Sequence, residues 1–303
     1  MKEIIRITIG LTISCLIAAF VMGAVFTVTN KAKKRNEYMD LQNTMTGLLG
    51  YSKKNPPPPD LKLHAVYRYI IEDGQARYLG YVVPVTEQGK EAYQLFVVDP
   101  DGKLLQRTKL DLTPQQAIEV TERAKALEQV IKAPKVFYYA DSFIVATLGR
   151  RRVAYLLPGE FPGFKTFIKV MVALSPEFEI KGLEILEQEE DPGLGGEIIQ
   201  DYFKNQFVGK SFEKLKHLKV IKKPLPEDYR AYLERKKYKG NFTEEQIKEI
   251  QKKYKDSDIY ALTGATISSR AVTSGIKNMV KKFAYREKML ERILTQQGVA
   301  AAF

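Results

Sequence analysis

The chain has 303 residues, 45% of them apolar, which is enough for one large domain or two smaller ones with buried cores. Its net charge of +12 suggests an acidic partner, but Lys and Arg are interspersed with Asp and Glu along the whole chain. That distribution is typical of a solvated surface and argues against a nucleic-acid-binding protein. A single cysteine, Cys15, and two histidines, His64 and His217, exclude an intramolecular disulfide and a Cys-based metal site. We therefore predict no metal centre and no catalytic triad, and we expect both histidines at the surface.

An uncharged apolar run occupies residues 7–30, between Arg6 and Lys31. A helix of about 20 apolar residues crosses the hydrocarbon core of a bilayer, whereas the apolar part of a signal peptide has roughly 7–15 residues. We therefore predict a retained single-pass anchor over residues 1–30, in contact with membrane lipid. More basic residues follow the run than precede it, so the positive-inside rule alone would place the remainder of the chain in the cytoplasm.

The next two segments differ in composition. Residues 31–60 predict a juxtamembrane helix ending at Gly50 and then a stiff spacer, because four consecutive prolines at 56–59 favour polyproline II. Residues 61–150 predict a strand-rich segment with one helix. Alternating apolar residues flank turns at 73–74 and 99–102, and Thr113 is a plausible N-cap for a helix over 113–133.

Two stretches of the chain resemble each other. The tetrapeptide at Tyr81–Pro84 matches that at Tyr155–Pro158, and similar strand pairs follow each of them. The similarity fits a duplicated β unit, and it equally fits two unrelated hairpins, because no fixed period is established.

Residues 151–303 predict a second domain with a charged helical insertion at about 220–257. In the last segment the apolar spacing predicts a helix with one buried face, which packs against a sheet. The residues of that face are Val272, Ile276, Met279, Val280 and Phe283.

Four hydroxyl side chains and a glycine immediately precede this helix, at Thr263, Gly264, Thr266, Ser268 and Ser269. A helix N-terminus presents unpaired N–H groups and a partial positive charge, so it can bind a phosphate. The lysine of a P-loop is missing, which indicates a phosphate that is held rather than transferred. The alternative is that Thr266 or Ser268 only caps the helix.

A second loop, residues 187–198 with the sequence EQEEDPGLGGEI, follows a predicted strand. Its glycines allow close backbone approach to a flat ligand. Leu194 is an apolar side chain on a glycine-rich loop, which suits contact with an aromatic ring system such as an isoalloxazine. The alternative is an ordinary glycine-rich hairpin loop.

The N-terminal span, the PGLGGE loop and the later TGATISS motif together resemble the FMN-binding domain family. Its members include the G subunit of Rnf ferredoxin:NAD oxidoreductases and the C subunit of sodium-pumping NADH:quinone oxidoreductase. The resemblance covers the span and roughly residues 150–285. It implies an α+β fold, in which one transmembrane helix precedes a mixed sheet-and-helix domain over residues 151–303.

The resemblance also implies FMN joined by a phosphoester bond to Thr266, installed from FAD by a flavin transferase. It implies a phosphate site and a ring contact, with no catalytic residue of the chain's own. The implied phosphate-site residues are Thr263, Gly264, Ala265, Ser268 and Ser269. The implied ring contacts are Glu190, Asp191, Leu194 and Gly195, with Phe164 as an aromatic neighbour.

Two residues depart from the family pattern. Tyr260 stands where relatives carry an Asp six residues before the modified threonine, and Asp191 replaces a Thr. The first departure bears on covalent attachment rather than on flavin binding as such. An acidic side chain beside a flavin would disfavour its anionic reduced forms.

The resemblance implies an electron-relay subunit of a redox-driven ion pump, which has other membrane subunits as partners and is no stand-alone enzyme. The resemblance implies a location in a bacterial inner membrane with the FMN domain outside the cytoplasm. This orientation is the opposite of the one that the positive-inside rule gives for the basic residues flanking the span. We expect an Rnf-type complex. The alternatives are a C-type subunit of the quinone-reducing pump and a flavin-free, membrane-anchored scaffold protein of the same fold.

Overall fold

The computed structural model describes residues 1–235 and 242–303 and divides into two compact units, Met1–Lys54 and Asn55–Phe303. The first unit contains one long helix, α1, over Lys2–Leu48. It joins the predicted anchor and the predicted juxtamembrane helix without interruption, and Gly50 follows it with a positive φ of 92°. The helix is long and apolar enough to cross a membrane, and the large apolar side chains of its apolar run, up to Val28, are exposed. The predicted N-terminal span is thus a candidate membrane span.

The second unit is built on one antiparallel sheet of eight strands in the order β4-β3-β2-β1-β5-β6-β7-β8. The predicted hairpins at 73–74 and 99–102 are confirmed, and the boundary at residue 150 falls in the turn between two paired strands. The strands are β1 Leu61–Asp73, β2 Ala76–Glu87, β3 Lys90–Val98, β4 Leu104–Leu110, β5 Val136–Leu148, β6 Arg151–Pro162, β7 Phe167–Leu174 and β8 Ile180–Glu187.

Short helices connect and cover this sheet. The single helix predicted over 113–133 is two helices, because Glu119 between them is extended, with φ −81° and ψ 124°. Thr113 caps the first of them, as predicted. The helices are α2 Pro114–Ile118, α3 Val120–Val130, a 3₁₀ helix Gly195–Ile199, α4 Asp201–Lys204, α5 Phe212–His217, α6 Glu227–Leu233, α7 Glu244–Tyr254 and α8 Thr266–Gln296.

The predicted charged insertion contains α6 and α7, and its residues 236–241 lie outside the described part of the chain. A parallel pair of two-residue strands, β9 Val220–Ile221 and β10 Ile259–Tyr260, brings the two ends of the insertion together. This pairing fixes the chain directly before the hydroxyl-rich loop.

The long helix α8 packs on one face of the sheet through the predicted apolar stripe. Val272, Ile276 and Val280 are fully buried there, and Met279 packs at the edge of the same cluster. A second cluster on the opposite sheet face is covered by α3, whose Leu127 packs among residues of β1 to β4. The predicted α+β class is therefore confirmed.

The sheet has two matching halves. Each half is a four-stranded meander, and the first strands of the two, β1 and β5, pair with each other at the centre. Tyr81 lies in β2 and Tyr155 in β6, which are the second strands of the two meanders. The two similar sequence stretches thus occupy equivalent positions, which favours the duplicated β unit.

The surface position predicted for the histidines holds for His217 and is wrong for His64, which is only 3% exposed. His64 lies two residues before Val66 on β1, so both face the same buried side of the sheet. Its Nδ1 is 3.1 Å from Glu91 Oε2 and its Nε2 is 3.3 Å from Thr147 Oγ1. These polar neighbours compensate for its burial.

Candidate functional site

The hydroxyl-rich loop ends at the N-terminus of α8. Thr266 is the first helical residue, and Ala265 before it has φ −128° and ψ 44°. Within the described residues no side chain caps this helix. The first N–H groups of a helix have no intrahelical acceptor, so this end keeps its donors and its partial positive charge. Gly264 turns the chain into the helix with φ 74°, a conformation that L side chains rarely adopt.

The two serines of the motif are buried and engaged inside the protein. Ser269 Oγ accepts a hydrogen bond from Leu262 N at 3.0 Å and donates to Ala265 O at 2.9 Å. It therefore ties the loop to the first turn of the helix. Ser268 Oγ donates to Glu190 Oε2. Since no side chain among the described residues caps the helix, the alternative that Thr266 or Ser268 only caps it is not supported.

Glu190 connects three separate segments around this helix end. It is 5% exposed, and its Oε1 accepts from the backbone N of Phe164 at 2.9 Å and of Lys165 at 3.1 Å. Its Oε2 accepts the hydroxyl of Ser268. Both carboxylate oxygens thus have protein donors, and the residue fixes the loop geometry.

Two glycines allow this close arrangement. A Cβ on Gly195 would lie 2.6 Å from Ser268 Oγ and 2.8 Å from Glu190 Oε2. A Cβ on Gly163 would lie 2.8 Å from Thr166 O and closer still to the Glu190 carboxylate. Such distances are far below van der Waals contact, so side chains at these positions would displace Glu190.

The two motifs meet where Leu194 approaches Gly264. A Cβ on Gly264 would lie 2.8 Å from Leu194 Cδ2, yet Leu194 remains 44% exposed. An apolar side chain is thus held beside the uncapped helix end and still faces solvent. Asp191, in the same loop, pairs with Lys165, and this interaction raises the pKa of the Lys165 ammonium group.

The structure thus brings together most of the residues predicted from the two motifs. Thr263 and Gly264 are exposed, and Thr266 is half-buried at the helix end. The Phe164 side chain is exposed, while its backbone N–H binds Glu190. We still predict that these four residues contact a cofactor directly. The same prediction applies to Glu190, Ser268 and Ser269.

Sequence reasoning missed Gly163 and Lys165. The stretch FPGFKTF at 161–167 contains a Gly-Phe-Lys turn, and the N–H groups of its Phe and Lys donate to the Glu190 carboxylate. A glycine in a short turn between two strands was the available signal.

Tyr260, at the position where the resemblance predicts an Asp, lies in β10. Its backbone N–H donates to Gln206 Oε1 at 2.8 Å, and its ring packs edge-on against Tyr229. The nearest acid upstream, Asp258, accepts from Lys214 Nζ at 2.7 Å and from Lys219 N at 3.2 Å. Asp258 therefore forms an ion pair with Lys214 and has a structural role in this part of the chain.

Comparison with known proteins identifies this region. Residues 163–281 match the FMN-binding domain family, which spans both loops and the first half of α8. The G subunit of the proton-translocating ferredoxin:NAD(+) oxidoreductase complex of Clostridium ljungdahlii is 30% identical over 137 residues, 45% of this chain and 57% of that protein. The G subunit of the Na(+)-translocating ferredoxin:NAD(+) oxidoreductase complex of Acetobacterium woodii is 29% identical over 125 residues, 41% of this chain and 46% of that protein.

The matches span about half the length of these two relatives. Among solved structures, NqrC of Shewanella oneidensis aligns with 19% identity and a TM-score of 0.33, over 50% of this chain and 59% of that one. The C subunit of the Na(+)-translocating NADH-quinone reductase of Parabacteroides distasonis aligns with 18% identity and a TM-score of 0.34, over 66% and 77%. The overall structural similarity is weak at these scores. The sequence matches agree with the resemblance, and residues 163–281 of this chain are similar to the FMN-binding domain family.

Proposed function

We propose that this chain is a membrane-anchored electron-relay subunit of an Rnf-type, ion-translocating ferredoxin:NAD oxidoreductase, with FMN phosphoester-linked to Thr266. The observation that carries the proposal is the geometry at the start of α8. An uncapped helix N-terminus, a half-buried threonine at its first position and a solvent-facing leucine all lie together.

The residues present fit FMN. The free N–H groups of the first turn and the helix dipole would stabilise the negative charge of the phosphodiester that joins FMN to Thr266. Gly264 keeps the approach to this end open, because any side chain there would collide with Leu194. Leu194 offers an apolar surface for the ring system, and Glu190 holds its loop in place through Ser268.

Bound FMN would supply the electron-transfer chemistry, and the protein its position and electrostatics. The ion pair with Lys165 offsets the negative charge of Asp191. Asp191 would then affect a nearby flavin less than an unpaired carboxylate.

The proposed membrane location rests on α1, and the proposed partner subunits rest on the similar proteins, which are subunits of complexes. We place α1 in the inner membrane of a bacterium, the FMN domain outside the cytoplasm, and other subunits of the redox-driven ion pump around it. A flavin transferase would install the cofactor. Of the alternatives, the flavin-free scaffold draws on Tyr260, and the C-type subunit draws on the weak likeness to quinone-reductase subunits.

The test is the intact mass of the chain purified from its own membranes, with a fragment map of the peptide that contains Thr266. We expect an added mass of FMN less one water on Thr266. Thr266→Val should abolish the adduct. Thr295→Val, which removes an exposed hydroxyl at the far end of α8, should retain it.

An unmodified Thr266 in a chain that still copurifies with stoichiometric flavin would overturn the covalent link alone. A chain without flavin would overturn the redox role and favour the scaffold alternative. Copurification with quinone-reductase subunits would favour the C-type alternative.

A further inference from the structure

A groove of about 850 Å³ lies along α8, outside the loops just described. Its floor comes from β1, β2, β5, β6 and β7, and its wall comes from α8 between residues 271 and 286. None of Leu194, Glu190 and Thr266 lines it. Helix geometry places residue 286 about 30 Å along the axis from Thr266, so the far end of the groove is distinct from the proposed phosphate site.

Two arginines share one carboxylate at that far end. Arg68 Nε donates to Asp141 Oδ1 at 2.8 Å, and Arg286 Nη1 donates to Asp141 Oδ2 at 2.9 Å. The Arg68 side chain is almost fully buried, and that of Arg286 is largely so. Two guanidinium charges therefore face the single carboxylate of Asp141. Burial and the charge of Arg68 both lower the pKa of Arg286. Lys282, exposed on the same wall, adds a further positive charge.

The other charges that line the groove do not offset this excess. Lys169 pairs with Glu187 at 2.6 Å, and Glu160 is exposed and lies opposite Lys169 in the register of β6 and β7. One uncompensated positive charge therefore remains beside Asp141, and a partly buried cation without a full partner is costly.

Tyr81 supplies a second, independent observation. It lines the groove, is 1% exposed, and its hydroxyl has no hydrogen-bond partner within residues 1–235 and 242–303. Burial raises its pKa to about 12, so the hydroxyl keeps its proton at neutral pH and is an unused donor. Tyr81 is paired with Arg68 in the register of β1 and β2, and Arg68 and Arg286 bind the same carboxylate, so the donor and both cations share one end of the groove.

The equivalent tyrosine shows what is unusual about Tyr81. Tyr155 occupies the matching strand of the other half of the sheet, and its hydroxyl donates to Glu287 Oε1. There an acidic residue of α8 provides the acceptor. At Tyr81 the helix presents Arg286 instead, and the described residues place no acceptor within hydrogen-bond distance of the hydroxyl.

The remainder of the groove is mainly apolar, with Phe143, Leu157, Phe161 and Phe283 among its lining residues. We propose that this groove binds a small amphipathic anion, whose carboxylate or phosphate group meets Arg286 and the Tyr81 hydroxyl and whose apolar body lies between α8 and the sheet. The size of the groove is that of an ordinary small-molecule site. The proposal is independent of the function assigned to Thr266.

The probe for the test is 2-naphthoate, with neutral 2-naphthalenemethanol as its matched control. Both are titrated by calorimetry against the full chain in nanodiscs of phosphatidylcholine. We expect saturable binding of the anion with one site per chain, and at least about tenfold weaker binding of the alcohol. Arg286→Gln and Tyr81→Phe should each weaken the anion by about tenfold or more, as expected for the loss of a charged hydrogen bond.

Controls separate binding from folding. Tyr155→Phe removes a hydroxyl from the other half of the sheet and should leave the affinity for 2-naphthoate within about twofold. Circular dichroism checks that each variant is folded. Lys282→Gln, which changes one exposed side chain, serves as a second charge variant and should weaken the anion about two- to fivefold.

The proposal is overturned if 2-naphthoate shows no saturable binding to the folded chain. It is also overturned if the anion and the alcohol bind equally, or if folded Arg286→Gln and Tyr81→Phe bind like the original chain.

Discussion

Glu190 offers the sharpest test of how the two loops are held together. Glu190→Ala removes the acceptor for the N–H groups of Phe164 and Lys165 and for the buried hydroxyl of Ser268. A buried donor left without an acceptor costs about 1–3 kcal/mol. The two N–H groups are only partly buried and gain some hydration, so most of the cost falls on Ser268 and on the lost packing. We expect a loss of about 2–4 kcal/mol in the free energy of unfolding.

Glu190→Gln separates hydrogen bonding from charge. The amide oxygen still accepts from Phe164 N and Lys165 N, and the amide nitrogen donates to Ser268, whose hydroxyl can rotate to accept. Only the charge assistance is lost, so we expect a cost of about 1 kcal/mol. Glu189→Ala, at the exposed neighbouring position, is the matched control and should change stability by less than about 0.5 kcal/mol.

Urea unfolding of the full chain in detergent, followed by circular dichroism, measures these differences, and flavin per chain is measured by absorbance. We expect flavin content to fall in Glu190→Ala and to persist in Glu190→Gln. Equal losses of stability in the Gln and Ala variants, or a cost below about 1 kcal/mol for Ala, would refute the role assigned to Glu190.

Three further predictions follow from the described contacts. Both Gly264 and Gly74 have positive φ, but of the two only Gly264 would bring an added Cβ within 4 Å of a neighbour, Leu194. Gly264→Ala should therefore cost about 0.5–1 kcal/mol more than Gly74→Ala in urea unfolding, because the half-exposed Leu194 side chain has to shift, and equal costs would contradict the contact. Tyr155→Phe should lower Tm through the lost bond to Glu287, whereas Tyr81→Phe should leave Tm unchanged or raise it, and the reverse order in thermal unfolding would count against the assigned partners. Burial, with Lys214 nearby, lowers the pKa of Lys210 from 10.5 to about 8, so the unfolded chain binds more protons between these pH values. The free energy of unfolding, measured relative to Lys210→Met, should therefore rise from pH 8 to pH 10.5, and a flat difference would argue against the lowered pKa.

The candidate site shows how far local sequence reasoning reaches. The hydroxyl-rich motif predicted a phosphate-binding helix end, and the structure shows that end uncapped at Thr266. Ser268 and Ser269 look equivalent to Thr263 and Thr266 in the sequence. Only the fold shows that their hydroxyls are turned inward, since the acceptor of Ser268 is Glu190, 78 positions earlier in the chain.

The sequence by itself determined the elements whose signals are local. These are the apolar helix at the N-terminus, the hairpins with their Asp-Gly turns, and the apolar stripe of α8. The tertiary structure alone decided which distant groups meet. It joined both halves into one sheet through the β1–β5 pair, buried His64 beside Val66, and left Tyr81 without the acceptor that Tyr155 has within the described chain. The physical reason is that strand pairing and burial depend on contacts between residues far apart in sequence, whereas turns, caps and periodicity depend on neighbours.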